Sequence, residues 1–297
     1  MNSSEFSLMM ETQAICISDG ATGTNLIERG LPQGKTGEFW VLEKPEAIIT
    51  LHQDFIENGA FIILTNSFGG SRIRLDHSGL GNRFIEINKK AVHLARQAAK
   101  GADTIIAGSM GPLGSMLEPY GTIKVEDAIG QYRDQAEILA NEGVDVLLIE
   151  TQFDLNEAKA AIEGAQKVSD LPIICSFSFD RGKKTMMGVS PIQMAESLAN
   201  IGLSMIGINC GKSLQDNLDC LIELKSISTL PIWFKPNAGL PKINEQGQPY
   251  YEINPDQMGE LVPSWLENGA KVVGGCCGTT PAHLRAIAKA VQEQKSP

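Results

Sequence analysis

Three of the six cysteines stand where predicted strands end. Cys276 and Cys277 are neighbours in the segment VVGGCCGTT, and Cys210 closes the segment GINC. Adjacent side chains of a regular strand point to opposite faces, but Gly274 and Gly275 allow the chain to bend, so that both thiols could turn toward one atom. Three thiolates with the fourth position open form a zinc site. A set of packed thiols is the alternative that spacing alone leaves open.

An open zinc site with three cysteine ligands suits chemistry at a substrate sulfur. Zinc binds a thiol as the thiolate, and the surplus of negative charge from four thiolates keeps the bound sulfur electron-rich and nucleophilic. Hydrolytic zinc sites use neutral ligands that acidify water instead. The remaining cysteines and the four histidines are interpreted as packing, surface or loop residues: Cys16, Cys175, Cys220, His52, His77, His93 and His283.

The elements that must position these thiols alternate along the whole chain. Short apolar runs predict eight strands, which are ICIS from Ile15, FIILT from Phe61, TIIAG from Thr104, VLLIE from Val146, PIICSFSF from Pro172, MIGIN from Met205, PIWFK from Pro231 and KVVGG from Lys271. Continuous apolar runs are typical of parallel strands buried on both faces. Segments with helical spacing of apolar residues fill the gaps between the strands.

Eight strand–helix units in 297 residues predict an α/β fold, a single (β/α)8 barrel of the TIM type that forms one domain over residues 1–297. A doubly wound open sheet is the runner-up, but SDGATGTN after the first strand lacks the spacing of a dinucleotide-binding loop. Reactive groups of such barrels collect at the carboxyl ends of the strands. Here those ends read Asp19, Asn66, Ser109, Glu150, Ser178, Asn209, Cys210, Asn237, Cys276 and Cys277.

The charge of the chain restricts its partners. The formal net charge is −10, which disfavours a nucleic-acid backbone or an anionic membrane as a partner. The N-terminal segment has no basic stretch followed by an apolar core, so we expect no secretory signal. The apolar runs are far shorter than the roughly 20 residues of a membrane span. We therefore expect a soluble cytoplasmic protein.

Several motifs in fixed order resemble one family, the homocysteine S-methyltransferases. They are SDGATGTNL, ILTNSFGGSRIRL, GSMGPLG, LLIET, GINCGKS, KPNAGLP and VVGGCCGTTPAHLRAI. The pair GINC and GGCCGTTP is specific, whereas DGATGT alone is weak. The motif sequences most resemble those of the homocysteine domain of cobalamin-dependent methionine synthase. Betaine–homocysteine and S-methylmethionine–homocysteine methyltransferases are more distantly similar.

The resemblance implies a zinc barrel that methylates homocysteine to methionine. It implies one zinc ion per chain, with Cys210, Cys276 and Cys277 as ligands that also take part in catalysis. It assigns recognition of the homocysteine amino group to Asp19 and Glu150, the latter counted among the catalytic residues. It further assigns Asn237 to the open position on zinc before substrate arrives, and Gly20 with the amides near it to the substrate carboxylate.

The sequence leaves the identity of the methyl donor open. A small onium cation, such as a betaine, a sulfoniopropionate or S-methylmethionine, is the first expectation, and Trp40 lies where a tryptophan recurs in relatives that use one. Betaine enzymes carry tyrosines where this chain has Thr151 and Gly69. Other aromatic residues could replace them, namely Phe68, Phe153, Tyr120, Tyr250 and Tyr251. The alternative is a homocysteine-binding subunit that takes its methyl group from methylcobalamin on a corrinoid partner protein.

Overall fold

Eight parallel strands form the centre of the protein. The computed structural model describes residues 2–13, 15–32, 34–243 and 249–294. The barrel strands are β1 (Cys16–Ile17), β2 (Ile62–Leu64), β3 (Ile105–Met110), β4 (Val146–Gln152), β5 (Ile173–Phe177), β6 (Met205–Cys210), β7 (Ile232–Pro236) and β10 (Ala270–Val273). All eight predicted strands are confirmed, with ends that differ by a few residues.

The strands follow one another around a ring. The sheet order is β1-β10-β7-β6-β5-β4-β3-β2, and every neighbouring pair is parallel. A parallel bridge between Ser18 and Ile62 brings β1 against β2, where the Phe61 N–H donates to the Ile17 carbonyl at 2.8 Å. The predicted (β/α)8 barrel is thereby confirmed, and β7 alone separates β6 from β10.

Helices surround the barrel, and the sequence predicted helical segments only in the gaps that follow the strands. They are α1 (Ser3–Thr12), α2 (Thr22–Glu28), α3 (Gly37–Glu43), α4 (Pro45–Glu57), α5 (Arg72–His77), α6 (Phe84–Ala98), α7 (Val125–Asn141), α8 (Leu155–Gln166), α9 (Pro191–Leu198), α10 (Leu214–Ile227), α11 (Pro255–Glu267) and α12 (Pro281–Gln294). Six of them begin at a side chain that accepts a hydrogen bond from a first-turn amide, namely Asn2, Ser71, Asp154, Ser190, Ser213 and Asn254. Within the described residues, no helix has the length and apolar character needed to cross a membrane.

Two segments for which the sequence predicts neither a strand nor a helix contain secondary structure. Residues 20–44 hold the short helices α2 and α3, and the segment after β7 holds an antiparallel pair, β8 (Lys242–Ile243) and β9 (Pro249–Tyr250). Part of that second segment, residues 244–248, lies outside the described residues. His77, expected in a loop, is the last residue of α5, because Ser71 caps a short helix that the sequence pattern did not indicate.

The barrel interior is divided into an apolar lower layer and a polar upper layer. Alternate residues of the strands point inward, and Trp233, Leu148 and Ala107 belong to one fully buried inner cluster. Helix α1 adds Phe6 and Met10 to the same cluster, so it packs onto the end of the barrel where the strands begin. Two residues farther along the strands, the inward positions become polar, and these positions build the site described next.

Candidate active site

Polar side chains occupy the inward positions at the carboxyl ends of the strands. Ser109 follows Ala107 on β3, Glu150 follows Leu148 on β4, Ser176 follows Ile174 on β5, and Lys235 follows Trp233 on β7, each by two residues. All four polar residues are buried. The period of two that fills the lower barrel with apolar groups therefore places this polar set directly above them.

The three cysteines predicted as metal ligands come together at this end of the barrel. The Sγ atom of Cys210 lies 3.3 Å from that of Cys276 and 3.8 Å from that of Cys277, and all three sulfurs lie within 4.8 Å of one another. Two sulfurs bound about 2.3 Å from one tetrahedral Zn²⁺ lie about 3.8 Å apart. The sulfur spacing therefore fits zinc, and no other such group of histidine, cysteine and acidic side chains occurs in the described part of the chain.

The three thiols cannot all ionise together unless a cation binds them. Hydrogen bonds to the two other sulfurs, followed by burial, raise the pKa of the Cys210 thiol. Hydrogen bonds from Cys210 and Cys276 lower the pKa of Cys277 to about 4. These pKa shifts favour one ionised thiolate, at Cys277, that accepts hydrogen bonds from two neutral thiols. Three thiolates at this site require a bound cation to offset their charge.

Glu150 is a buried carboxyl group with few compensating contacts. It is 7% exposed, and one carboxylate oxygen accepts a hydrogen bond from Ser109 Oγ at 2.5 Å. Burial raises its pKa from 4.5 to about 7, against the opposing effects of Lys235 and of the serine hydrogen bond. Because burial disfavours the ionised form of Glu150, a cation that enters the site would stabilise that form.

Asp19 has a different environment from Glu150, although both were predicted to meet the same amino group. Its side chain is fully buried, and Lys235 Nζ donates to Oδ1 at 2.6 Å. The Leu64 N–H donates to Oδ2 at 2.8 Å. The structure thus places Asp19 in a buried ion pair behind the polar layer, and Lys235 is a site residue that sequence reasoning missed.

Asn237 lies against the cysteine cluster. Its backbone N–H donates to the Cys210 carbonyl at 3.4 Å, and its side-chain Nδ2 donates to the Gly211 carbonyl at 2.9 Å. The side-chain oxygen is buried and accepts no hydrogen bond. An unpartnered buried acceptor beside three thiols is chemically suited to a cation or to a donor group of a substrate.

Gly20 is required by close packing rather than by an unusual backbone angle. A Cβ atom at this position would lie 2.7 Å from the Phe55 ring and 3.1 Å from the Thr279 carbonyl oxygen. The next amide, that of Ala21, donates to Thr279 Oγ1 at 3.1 Å. Gly20 therefore holds the loop after β1 against the loop after β10, one residue from Asp19.

Comparison with known proteins adds an independent observation. A sequence model described as homocysteine S-methyltransferase matches residues 16–291. The chain belongs to the homocysteine S-methyltransferase family. The match covers every barrel strand and every site residue described above.

Individual relatives within the family are of two sizes. Methionine synthase of Mycobacterium tuberculosis is 29% identical over 96% of this chain, and that of Mycobacterium leprae is 29% identical over 95%. The chain spans about a quarter of the length of these relatives. The metallated form of the homocysteine methyltransferase MmuM from Escherichia coli is 26% identical, with a TM-score of 0.81 over 95% of this chain and 98% of that one.

Aromatic side chains near the site differ in how open their faces are. Trp40, predicted to contact the donor, is 4% exposed and packs in the core, with the Lys44 amine 4.5 Å from its ring centre. Arg74 lies 4.9 Å from the ring centre of Phe68. The rings of Trp40 and Phe68 thus each lie against a cationic side chain of the protein. Contact of either ring with a methyl donor stays a prediction.

The Tyr251 ring lies against the loop that carries Cys276 and Cys277. Its ring occupies the space that a Cβ atom on Gly278 would need, at 2.2 Å from the nearest ring carbon. Gly278 also has a φ of +81°, which glycine adopts without steric cost. Burial, followed by the charges of Cys277 and the two other cysteines, raises the pKa of Tyr251 to about 12. The ring therefore forms a wall beside Cys277.

Proposed function

We propose that this chain is a zinc-dependent homocysteine S-methyltransferase that forms methionine. The observation that carries the proposal is the position of three cysteine sulfurs, spaced for one tetrahedral zinc ion, beside the buried Glu150 carboxyl group. Cys210, Cys276 and Cys277 would hold the metal, which supplies a site that binds the substrate sulfur as a nucleophilic thiolate. Membership of the family supports the same substrate.

We assign recognition of the homocysteine amino group to Glu150. An ammonium group that enters beside Glu150 offsets the burial that raises its pKa, and it gains a charge-assisted hydrogen bond. The charge of Asp19 is offset by Lys235, so Glu150 is the carboxylate that would meet the ammonium group directly. Asn237 offers its unpartnered oxygen to the metal before substrate binds, and the loop at Gly20 supplies amides for the substrate carboxylate.

A small onium cation is the donor that we propose first. The substrate sulfur attacks the methyl carbon, the bond between that carbon and the onium nitrogen or sulfur breaks, and the electron pair stays on the leaving atom. The departing molecule loses one positive charge, and the thioether of methionine is formed. The match to MmuM along 98% of that chain supports a barrel that acts without further domains, and the Tyr251 ring provides a π-face beside Cys277.

A corrinoid protein that delivers methylcobalamin is the second donor class. The loops that follow parallel strands all emerge at one end of the barrel, and several of them carry exposed apolar side chains, namely Met116, Tyr120, Met186, Leu240, Ile243 and Tyr250. Exposed apolar groups around a site are suited to a protein partner. The similarity to one quarter of much longer methionine synthases agrees with this alternative.

Metal analysis and turnover together test the proposal. We expect about one zinc per chain in the wild type and loss of zinc and activity in Cys277→Ala, whereas Cys220→Ala, at a buried cysteine of α10, keeps both. Full zinc content in Cys277→Ala would refute the site. Turnover of homocysteine with a betaine or a sulfonium compound supports the onium donor, and turnover only with a methylcobalamin-loaded corrinoid protein supports the second class.

A further inference from the structure

One amide side chain connects the cysteine cluster to the strand that carries Glu150. Asn209 precedes Cys210 on β6, and its side chain is buried at the centre of the polar layer. Its Oδ1 accepts from the Thr151 N–H at 2.9 Å and from Ser176 Oγ at 2.7 Å. Its Nδ2 donates to Thr151 Oγ1 at 2.7 Å and to Cys276 Sγ at 3.8 Å.

The orientation of this amide is fixed by its partners. The backbone N–H of Thr151 can only donate, so the Asn209 oxygen must face it. The NH2 group is thereby turned toward Cys276, and the sulfur meets a hydrogen-bond donor rather than an acceptor. With two bonds at the oxygen and two at the nitrogen, the amide uses its full hydrogen-bonding capacity.

Two residues next to Asn209 have a positive φ angle: Cys210, which follows it in the chain, and Thr151, to which its side chain is hydrogen-bonded. Thr151 has a φ of +61° and Cys210 has a φ of +62°, and among the described residues they are the non-glycine residues with positive φ. Such conformations persist where the surroundings hold them in place. Asn209 holds Thr151 by two hydrogen bonds, and Asn217 Nδ2 holds the Cys210 carbonyl at 2.6 Å.

We propose that Asn209 is a positioning residue with two linked tasks. It donates an N–H···S hydrogen bond to Cys276 and so withdraws electron density from a sulfur that binds the metal, and it fixes Thr151 so that Glu150 keeps its distance from the cysteines. Groups that contact metal ligands from behind are known to tune the metal and the orientation of its ligands. The inference rests on the proposed metal site, and it gives a role to a residue that the sequence placed at a strand end without assigning it one.

Asn209→Asp separates the two tasks. The carboxylate can still accept from Thr151 and Ser176, but it presents an oxygen instead of a donor to Cys276. In protein loaded with Co²⁺ in place of zinc, we expect the sulfur-to-cobalt charge-transfer bands to move to lower energy, because the sulfur loses its hydrogen bond. The KM for homocysteine should change little, since Thr151 stays in place.

Asn209→Leu removes both tasks at similar side-chain volume. We expect the same direction of band shift, a zinc affinity about 10- to 100-fold weaker in chelator competition, and a raised KM for homocysteine. Ser176→Ala is the matched control, because it removes one bond to the amide oxygen and leaves the donor to sulfur; its bands should stay at the wild-type position. Asn209→Ser, whose hydroxyl is too short to reach the sulfur, replaces Asn209→Leu if that variant does not fold.

The outcomes separate this inference from the proposed function. Wild-type protein that binds neither Co²⁺ nor zinc at the cysteines would refute both. Wild-type protein that binds them, with unshifted bands in Asn209→Asp and unchanged zinc affinity in Asn209→Leu, would overturn only the role of Asn209. Bands that shift equally in Ser176→Ala would also overturn it, because the effect would then follow from loosening the polar layer.

Discussion

Replacing Glu150 by glutamine should stabilise the metal-free protein while it weakens the proposed substrate site. Burial raises the pKa of this carboxyl group from 4.5 to about 7. The folded pKa lies above the unfolded one, so folding takes up a proton between these pH values, and stability falls as pH rises through that window. At about 1.4 kcal/mol per pKa unit, the ionised carboxylate costs the folded state about 3 kcal/mol above pH 7.

Glutamine removes that cost and keeps the local packing. Its side chain is close to glutamate in size, and its carbonyl oxygen can still accept the hydrogen bond from Ser109. We therefore expect the free energy of unfolding to rise by about 3 kcal/mol at pH 8 and by less than about 1 kcal/mol at pH 5, where the folded wild type is already protonated. Denaturant unfolding of wild type and Glu150→Gln at both pH values measures this difference.

The control is an exposed glutamate in a helix. Glu137→Gln on α7 should change stability by the same small amount at pH 5 and at pH 8. Equal stability of wild type and Glu150→Gln at pH 8, or a gain of the same size at both pH values, would refute the reasoning, because burial would then not oppose ionisation of Glu150.

The same variant tests the substrate site once zinc is bound. Loss of a charge-assisted hydrogen bond of about 1.5–3 kcal/mol weakens homocysteine binding roughly 10- to 150-fold. Zinc content should stay near that of the wild type, because Glu150 lies outside the group of metal ligands. Calorimetric titration with homocysteine measures the affinity, and unchanged binding would show that Glu150 has a structural role alone.

Other variants address the surroundings of the site. Lys235→Met should lower the free energy of unfolding by about 3–5 kcal/mol, because Asp19 is left as an unpaired buried charge, and adding Asp19→Asn should restore most of it in denaturant melts. Gly278→Ala should weaken zinc binding in chelator competition, since its Cβ would meet an aromatic ring; Gly23→Ala, where the space is open, should not. Trp40→Ala should cost about 3–5 kcal/mol of stability as a core truncation, and a changed donor KM without that cost would show that the ring is open to the site.

The sequence was informative wherever local patterns determine structure. Parallel strands read as apolar runs, so all eight were found, and the parallel arrangement predicted that Cys210 would meet Cys276 and Cys277 across one intervening strand. The distances between their sulfurs confirm this. Helix α1 was not predicted, because its segment has a weak apolar periodicity and only two residues reach the core.

The residues missed at the site are those whose role depends on distant partners. Lys235 lies in a strand, and its pairing with Asp19 spans 216 positions of the chain. Its inward position, two residues after Trp233, was a signal that could have found it, because a lysine there must be buried. Asn209 was placed at a strand end by the sequence, but its role was not predicted, since that role comes from contacts with two other strands and a cysteine.

Helix α1 has a consequence for the order of events during turnover. Phe6 and Met10 close the barrel where the strands begin, so we expect both substrates and both products to exchange through the opposite mouth. In the proposed reaction, homocysteine held at Glu150 would lie deeper than a donor that approaches from the mouth, and the donor would then block its exit. This shared route predicts compulsory-order kinetics, with homocysteine binding first and methionine leaving last. Product-inhibition patterns measure that order, and random-order patterns would contradict a single route.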